Sequence, residues 1–213
     1  MKIIIKNLDK SFKNNKVLDD INIEFESGKI YGLFGPNSCG KTVLLKLLCG
    51  FYVPDRGNIL YDNLDIFNED MYAPNTRALI ETPSFIGEYT AFENLKILAK
   101  IQNIINDNDI LNCMEELGLS SIKNKRVSTL SLGYKQRLGI AQVLMENPEV
   151  MIFDEPFNTM DEDSFEDLKR ILLKRKKSGK IIIISSHLKE ELFDLSDVVY
   201  KFKNGRITVY DKK

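Results

Sequence analysis

Short apolar runs, each followed directly by polar or glycine-rich residues, recur along this chain of 213 residues. Runs of this length are typical of buried strands in a sheet that is covered on both faces. Buried strands are predicted at residues 30–34, 77–80, 150–153 and 181–184. The stretch 21–26 alternates apolar and polar side chains, which predicts a half-exposed strand. Further strands are predicted at 3–7, 58–61, 198–202 and 206–210, and residues 62–76 are expected to be irregular.

Apolar side chains at intervals of three and four residues predict helices between these strands. Residues Thr90 to Glu93 resemble a capping box at the start of one helix. The predicted helices are residues 43–48, about 90–102, 107–117, about 131–147 and 164–177. Those between the strands at 77–80 and 150–153 predict a helical lobe, about residues 88–147, inserted into the connections of the sheet. The expected fold is therefore α/β.

A glycine-containing turn joins the strand at 30–34 to the helix at 43–48. Its spacing is G-x-x-x-x-G-K-[ST], a loop whose backbone N–H groups and following helix N-terminus wrap a polyphosphate. A Cβ atom at Gly35 or Gly40 would obstruct such a loop. Lys41 would reach the β- and γ-phosphates, and the Thr42 hydroxyl would bind Mg²⁺. The predicted nucleotide-binding residues are Gly35, Pro36, Asn37, Ser38, Cys39, Gly40, Lys41 and Thr42.

Two adjacent acids follow the apolar run at 150–153. Acids at the carboxyl end of a buried parallel strand lie where open α/β sheets bind ligands. Asp154 is expected to make the second Mg²⁺ contact, usually through water, and Glu155 to polarise an attacking water as general base. A solvated turn is the alternative explanation, and the buried strand just before these acids argues against it.

Composition and charge narrow the class of protein. Apolar residues make up 43% and charged residues 29%, so a core is available and disorder is not expected. A net charge of −1 gives no support for broad binding to nucleic acid. Cys39, Cys49 and Cys113 have no paired or metal-ligand spacing, which favours reduced thiols in the cytoplasm. Neither a signal peptide nor a membrane-spanning run is recognised, so any membrane attachment is expected to use a partner.

The segment Leu-Ser-Leu-Gly-Tyr-Lys-Gln-Arg at residues 130–137 narrows the choice among phosphate-loop proteins. Ser131 and Gly133 would lie at a helix N-terminus, where N–H groups and a hydroxyl can hold a phosphate. A serine N-cap on an ordinary helix would also explain Ser131. The segment resembles the signature motif of the ATP-binding cassette (ABC) family, usually L-S-G-G-Q. The resemblance extends from Phe12 to His187 in the family's motif order.

The resemblance implies roles that residue chemistry alone does not fix. Phe12, expected on the linker between the first two strands, would stack on adenine; considered alone, it is better explained by packing. The signature residues Ser131, Gly133 and Gln136 would bind nucleotide. Asp161, in the loop at 158–161, would belong to the segment that crosses to a partner subunit. His187, the chain's single histidine, would be a catalytic residue that contacts the γ-phosphate.

Three residues depart from the family's usual pattern. Ser38 and Leu132 stand where the family usually has glycine, and Ser38 must tolerate the backbone angle of the loop. Glu81 stands where most members have a glutamine that contacts Mg²⁺ and the transmembrane partner, and it is assigned here as both a metal and a catalytic residue. Glu81 and the residues up to Leu95 resemble the bacitracin- and lantibiotic-resistance branch, as does Leu132.

The resemblance implies a phosphate-loop core with a small antiparallel β-lobe and an inserted helical lobe, forming one nucleotide-binding domain over residues 1–213. It implies Mg²⁺-dependent ATP hydrolysis that powers transport, with export of a peptide antibiotic or amphiphile as the branch-level expectation. The expected partners are separate transmembrane permease subunits and a second ABC subunit, identical or different, at the inner face of the cell membrane. A soluble ABC ATPase of DNA maintenance or translation is the alternative. The absence of sustained heptads between Lys41 and Asp154 argues against the DNA-maintenance class.

Overall fold

The computed structural model describes residues 1–68 and 72–210, and in these residues ten strands form two sheets. The strands are β1 (Lys2–Phe12), β2 (Asn15–Glu26), β3 (Lys29–Phe34), β4 (Arg56–Tyr61), β5 (Leu64–Asp65), β6 (Thr76–Leu79), β7 (Val150–Asp154), β8 (Ile181–Ser186), β9 (Val198–Lys203) and β10 (Arg206–Tyr210). Every predicted strand is present, but the predicted burial of 77–80 is only partly met: β6 lies at the edge of its sheet, and only Leu79 in it is buried. The stretch 62–76, expected to be irregular, contains the short β5, and residues 69–71 of it lie outside the described part.

Six α-helices occur in the same described residues. They are α1 (Lys41–Leu48), α2 (Ala91–Gln102), α3 (Asp107–Glu116), α4 (Leu132–Leu144), α5 (Glu162–Lys177) and α6 (Lys189–Leu195). Five match predicted helices, and α6 was not predicted. The α5 helix begins two residues before the predicted start at 164, because Asp161 is its N-cap and accepts a hydrogen bond from the Ser164 N–H at 2.9 Å.

The central sheet has the strand order β10-β9-β3-β8-β7-β6. All neighbouring strands from β9 to β6 are parallel, and β10 alone runs antiparallel at one edge. Every residue of β7 and β8 is buried, which explains their continuous apolar runs. Because parallel strands end at the same edge, this sheet brings the residues that follow β3, β7 and β8 together.

A second, antiparallel sheet has the order β2-β1-β4-β5. Its buried side chains, including Ile5, Phe25 and Tyr61, share one apolar cluster with Leu44 of α1. The prediction that Phe12 lies on the linker between the first two strands is wrong. Phe12 is the last residue of β1 and pairs with Asn15 across a tight hairpin, because the ladder continues with register shifts beyond the apolar run.

Helices α2, α3 and α4 lie between β6 and β7 in the chain and pack on one another. The predicted capping box at Thr90 is present: its Oγ1 accepts the Glu93 N–H, and the Glu93 carboxylate accepts the Thr90 N–H. Leu95 and Leu138 belong to the large apolar cluster that joins these helices to the central sheet. The α/β fold with a small antiparallel sheet and a helical insertion is thus as predicted.

Candidate active site

The loop between β3 and α1 has glycines at positions where a side chain does not fit. A Cβ on Gly35 would lie 2.8 Å from Cys39 Sγ. Gly40 has φ +108°, and a Cβ there would lie 3.0 Å from Leu18 Cδ2 and 3.2 Å from the Val17 carbonyl oxygen. Both glycines are therefore required by the backbone and its neighbours.

The middle of the loop faces solvent. Pro36, Asn37 and Ser38 are exposed. Ser38, which replaces the expected glycine, has φ +63°. This left-handed conformation favours glycine, so the serine is under backbone strain, as its position in the loop led us to expect. Cys39 is half-buried, and burial raises the pKa of its thiol, which favours the protonated form.

Lys41 begins α1 and is almost fully buried, with 5% of its side chain exposed. Its ammonium group donates hydrogen bonds to the carbonyl oxygens of Gly35 at 2.7 Å and Pro36 at 3.2 Å. The same ammonium lies 3.2 Å from Glu155 Oε1. A positive charge is thus held inside the loop, next to the N-terminus of a helix, which is an arrangement suited to an anion.

Thr42, one residue further along, connects the loop to β7. Its hydroxyl donates to Asp154 Oδ2 at 2.8 Å, and the Ser185 hydroxyl of β8 donates to the other carboxylate oxygen of Asp154. Asp154 is buried, with 6% of its surface exposed. A hydroxyl and a buried carboxylate side by side are hard oxygen donors, the type that Mg²⁺ prefers.

Glu155 follows β7 in a left-handed conformation, with φ +49°. Its N–H donates to the Ser185 carbonyl and hydroxyl oxygens, each at 3.1 Å. Its Oε2 contacts His187 Nδ1 at 2.8 Å and accepts the His187 backbone N–H at 3.3 Å. Its Oε1 is buried and accepts no hydrogen bond, although the Lys41 ammonium is near. A buried carboxylate oxygen that has an ion pair but no hydrogen bond, on a residue with a left-handed backbone, is the kind of feature that marks functional sites.

The residues of the predicted signature lie at the start of α4. Ser131 is its exposed N-cap, as expected from the sequence, and its hydroxyl accepts the Tyr134 N–H at 3.4 Å. Gly133 approaches the carbonyl oxygen of Thr159, which would lie 3.5 Å from a Cβ at that position. The start of α4 therefore packs against the loop at 158–161 of the same chain.

One cavity of about 290 Å³ joins several predicted residues. Its lining residues are Glu81, Thr82, Leu132, Gln136, Asp154, Glu155, Asn158 and Thr159. Gln136 thus reaches the same cavity as the two acids, whereas Ser131 and Asp161 do not line it. Asp161 instead caps α5, and hydrogen bonds from the hydroxyl and N–H of Ser164 lower the pKa of its carboxyl group.

Glu81 follows β6 and has a left-handed backbone, with φ +62°. Its Oε1 lies 2.6 Å from the ammonium group of Lys46 on α1, and 63% of its side chain is exposed. The hydrogen bond with Glu81 raises the pKa of Lys46. The structure brings Glu81 to the wall of the cavity, with its carboxylate engaged by Lys46.

Phe12 does not line this cavity and is 40% exposed. Its ring makes an edge contact with Tyr52, with ring centroids 5.4 Å apart. The ammonium group of Lys10 lies 5.4 Å from the Phe12 ring centroid. A partly exposed aromatic ring is available for stacking against a planar group.

Most of the chain matches a known protein family. Residues 18–158, more than half of the sequence, match the family model described as ABC transporter. The chain belongs to the ABC transporter family. It is an ATP-binding, ATP-hydrolysing subunit of that family. Among the described residues, no helix has the length and apolar character needed to cross a membrane.

Three relatives from different bacteria support this assignment. The chain is 42% identical over 210 residues to YybJ of Bacillus subtilis (strain 168), an uncharacterized ABC transporter ATP-binding protein, covering 99% of this chain and 96% of that one. It is 32% identical over 203 residues to SrtF of Streptococcus pyogenes, a lantibiotic transport ATP-binding protein, covering 95% and 87%. It is 37% identical over 216 residues to BcrA of Bacillus licheniformis, a bacitracin transport ATP-binding protein, covering 97% and 69%. These relatives support the transporter function and not the alternative of DNA maintenance or translation.

Solved structures agree on the fold. The ATP-binding subunit of an ABC transporter, 23% identical, superposes with a TM-score of 0.91 and covers 100% of this chain and 90% of its own. An ATP-binding cassette in its ADP conformation, 26% identical, superposes with a TM-score of 0.83 and covers 98% and 90%. The predicted ABC ATPase fold is confirmed.

Sequence reasoning missed two residues that organise this ABC site. Ser185 forms hydrogen bonds with both Asp154 and Glu155. The only indication in the sequence was a serine directly after four isoleucines, in a strand that stays buried to its end. Lys46 pairs with Glu81, and its signal was its position one helical turn after Thr42, on the helix that starts at the phosphate loop.

Proposed function

We propose that residues 1–213 form a single nucleotide-binding domain, with its helical lobe at about 88–147, that hydrolyses ATP with Mg²⁺ to power transport. The observation that carries this proposal is the Glu155 carboxylate. One of its oxygens is unbonded and buried beside Lys41, and the other is held by His187. A base aimed into a phosphate loop, with a second acid one residue away, is suited to activating water against a γ-phosphate.

Mg²⁺ fits the donors that are present. Thr42 and Asp154 would hold it, and when bound it would supply positive charge to the β- and γ-phosphate oxygens. In the described structure these two groups are hydrogen-bonded to each other, so the Thr42 hydroxyl proton must turn away from Asp154 to expose both oxygens. Glu81 is proposed to contact Mg²⁺-bound water, which requires that its carboxylate leave Lys46.

The remaining side chains then have distinct tasks. Lys41 would transfer its hydrogen bonds from the loop carbonyl oxygens to the triphosphate, which frees Glu155 Oε1 from its neighbouring charge. Glu155 would accept the proton of the attacking water at this oxygen. His187 would orient the Glu155 carboxylate through Oε2 and contact the γ-phosphate from its exposed position directly after β8. Phe12 would stack on adenine.

A second ABC subunit, identical or different, would complete each site. Two features support this proposal. Ser131 caps α4 on an exposed surface, outside the cavity of its own Glu155, and Asp161 lies exposed at the start of α5. Ser131 and the loop with Asp161 are therefore proposed to contact the nucleotide bound by the partner. Gly133 and Gln136 are proposed to do so as residues of the same signature, although Gln136 also lines the cavity of its own Glu155.

The transmembrane permease would be a separate protein. The region 81–95 is proposed as its docking face because it joins the cavity wall at Glu81 to the start of α2 and has exposed apolar side chains, Ile86 and Tyr89. The subunit would then work at the inner face of the cell membrane. Since SrtF and BcrA are named for lantibiotic and bacitracin transport, we propose export of a peptide antibiotic or similar amphiphile. No role for nucleic acid is proposed.

The direct test is ATP hydrolysis by the purified chain, with and without Mg²⁺, alone and with the membrane proteins that co-purify with it. We expect hydrolysis that requires Mg²⁺ and increases with the permease. Nucleotide binding without any Mg²⁺-dependent hydrolysis in the presence of the permease would contradict the proposed function.

A further inference from the structure

Two aromatic residues, Phe12 at the end of β1 and Tyr52 in the segment after α1, meet with ring centroids 5.4 Å apart. Phe12 ends β1, and its backbone is fixed by pairing with Asn15 in the hairpin to β2. Its side chain is 40% exposed, so little protein surrounds the ring on its open side. The backbone therefore places Phe12, but the orientation of its ring depends on the few neighbours that touch it.

Tyr52 is one of those neighbours, and its own position is well defined. It follows the turn after α1, where Gly50 has φ +76° and the Phe51 N–H donates to the Lys46 carbonyl oxygen at 2.9 Å. Its ring meets that of Phe12 at an interplanar angle of 67° with centroids 5.4 Å apart. This is an edge-to-face contact, which favours one orientation of the ring over others.

Tyr52 is also tied to the helix that starts at the phosphate loop. The Lys46 ammonium lies 5.5 Å from the Tyr52 ring centroid, within reach of a cation–π interaction. That ammonium also lies 2.6 Å from the Glu81 carboxylate in the described structure. Lys46 lies one turn after Thr42 on α1. A continuous set of contacts thus runs from α1 through Tyr52 to the ring of Phe12.

We propose that Tyr52 is a positioning residue for Phe12, an inference that rests on the nucleotide site proposed above. Tyr52 holds the Phe12 ring in the orientation that a base stacks on. It also fixes the distance between that ring and the loop that holds the phosphates. A ring that is ordered before binding loses less freedom when the base arrives, so the benefit appears as affinity for a ligand with a base.

The experiment compares two ligands on the full chain by calorimetry: ATP, which has a base, and inorganic tripolyphosphate, which has none. Tyr52→Leu is expected to raise the Kd for ATP about two- to tenfold, the effect of leaving one side chain to be ordered on binding. It should leave the Kd for tripolyphosphate unchanged. Tyr52→Phe keeps the ring and should bind ATP as the parent chain does. Tyr72→Leu, a change at a tyrosine that is 78% exposed, is the matched control and should alter neither Kd.

A double variant separates positioning from direct contact. If Tyr52 acts through Phe12, then Phe12→Leu combined with Tyr52→Leu weakens ATP binding no more than Phe12→Leu alone. Additive losses would mean that Tyr52 contacts the base itself, and they would overturn the inference. An unchanged ATP affinity in Tyr52→Leu, or an equal loss for both ligands, would overturn it as well.

Failure of the proposed nucleotide site gives a different result. In that case the parent chain binds neither ATP nor tripolyphosphate. If the parent chain binds both and Phe12→Leu has no effect on ATP, the assignment of Phe12 fails, and the positioning role of Tyr52 fails with it.

Discussion

The phosphate loop and the signature segment are both starts of helices, yet their surroundings differ. At the start of α1, Lys41 is buried and makes three polar contacts, and Thr42 is bonded to Asp154. At the start of α4, Ser131 is exposed and its hydroxyl accepts a single hydrogen bond, 3.4 Å long, from its own helix. The first region is organised within one chain. In the second region Leu132 and Gln136 line the cavity of their own Glu155, but the Ser131 hydroxyl lies on the surface outside it. An exposed N-cap hydroxyl outside the chain's own cavity is the pattern expected of half of a shared site.

The largest effect is expected from removing the proposed general base, Glu155, from the first of these regions. Glu155→Gln keeps the shape of the side chain and its contact with His187 but removes the proton acceptor. Turnover should fall on the order of a hundred- to ten-thousand-fold. ATP binding should persist, because Lys41 and the loop are unchanged. Turnover assays measure the loss of hydrolysis, and calorimetry measures the retained ATP binding. Wild-type turnover in the variant would show that Glu155 is not the general base.

Lys41→Ala tests the loop itself and should weaken ATP binding rather than turnover alone. A hydrogen bond to a charged group contributes about 1.5–3 kcal/mol, which corresponds to roughly a ten- to hundredfold rise in the Kd for ATP. Calorimetry with the purified chain measures it. If ATP bound Lys41→Ala and the parent chain with the same affinity, the loop would not be the binding site.

Glycine replacements sharpen the comparison inside the loop. Gly40→Ala should reduce both stability and ATP binding, since φ is +108° and the Val17 carbonyl oxygen would lie 3.2 Å from the new Cβ. Ser38→Gly should instead raise the stability of the chain slightly. It relieves a left-handed serine but adds freedom to the unfolded chain, so the free energy of unfolding should change by less than about 1 kcal/mol. Thermal unfolding distinguishes the two variants, and equal losses would contradict this account of the loop.

The smallest effect is expected at Glu81. Its ion pair with Lys46 is exposed, and such pairs contribute about 0–1 kcal/mol, so Glu81→Gln should barely change unfolding. The informative measurement on Glu81→Gln is the Mg²⁺ dependence of ATP hydrolysis. The Mg²⁺ concentration needed for half-maximal hydrolysis should shift if the carboxylate acts on metal-bound water. A Mg²⁺ titration that superposes on that of the parent chain, with unchanged stimulation by the permease, would leave Glu81 as a structural loop residue.

Much of this arrangement follows from local sequence. The apolar runs predicted the buried strands, and the residues after them are those that meet at the edge of the central sheet, because parallel strands share that edge. The Thr90 capping box and the N-cap role of Ser131 were likewise visible from side-chain chemistry. The fold class needed no more than this.

Other features depend on contacts between distant residues. Strand β1 continues to Phe12 through register shifts, which the pattern of apolar residues does not predict. The α6 helix is only seven residues long, from Lys189 to Leu195, too short for its periodicity to be recognised. The pairing of Lys46 with Glu81, and the contact of Lys41 with Glu155, join residues far apart in the chain. Such pairs become apparent only when the strands and α1 have been placed.

The central claim is that the signature acts on the partner's nucleotide, and mixing two inactive variants tests it most directly. Ser131→Arg places a bulky side chain where the opposing γ-phosphate would lie, and Lys41→Ala disables the loop of the other chain. Each variant alone should hydrolyse ATP poorly. Ser121→Arg, an equal change at an exposed serine elsewhere in the helical lobe, is the control and should keep its activity.

In the mixture, each mixed dimer has one site with both defects and one site with neither. The account predicts that ATP hydrolysis partly recovers on mixing and that Ser131→Arg alone still binds ATP by calorimetry. If the mixture is no more active than the separate variants, or if a correctly folded Ser131→Arg chain fails to bind ATP as a monomer, the shared site is contradicted.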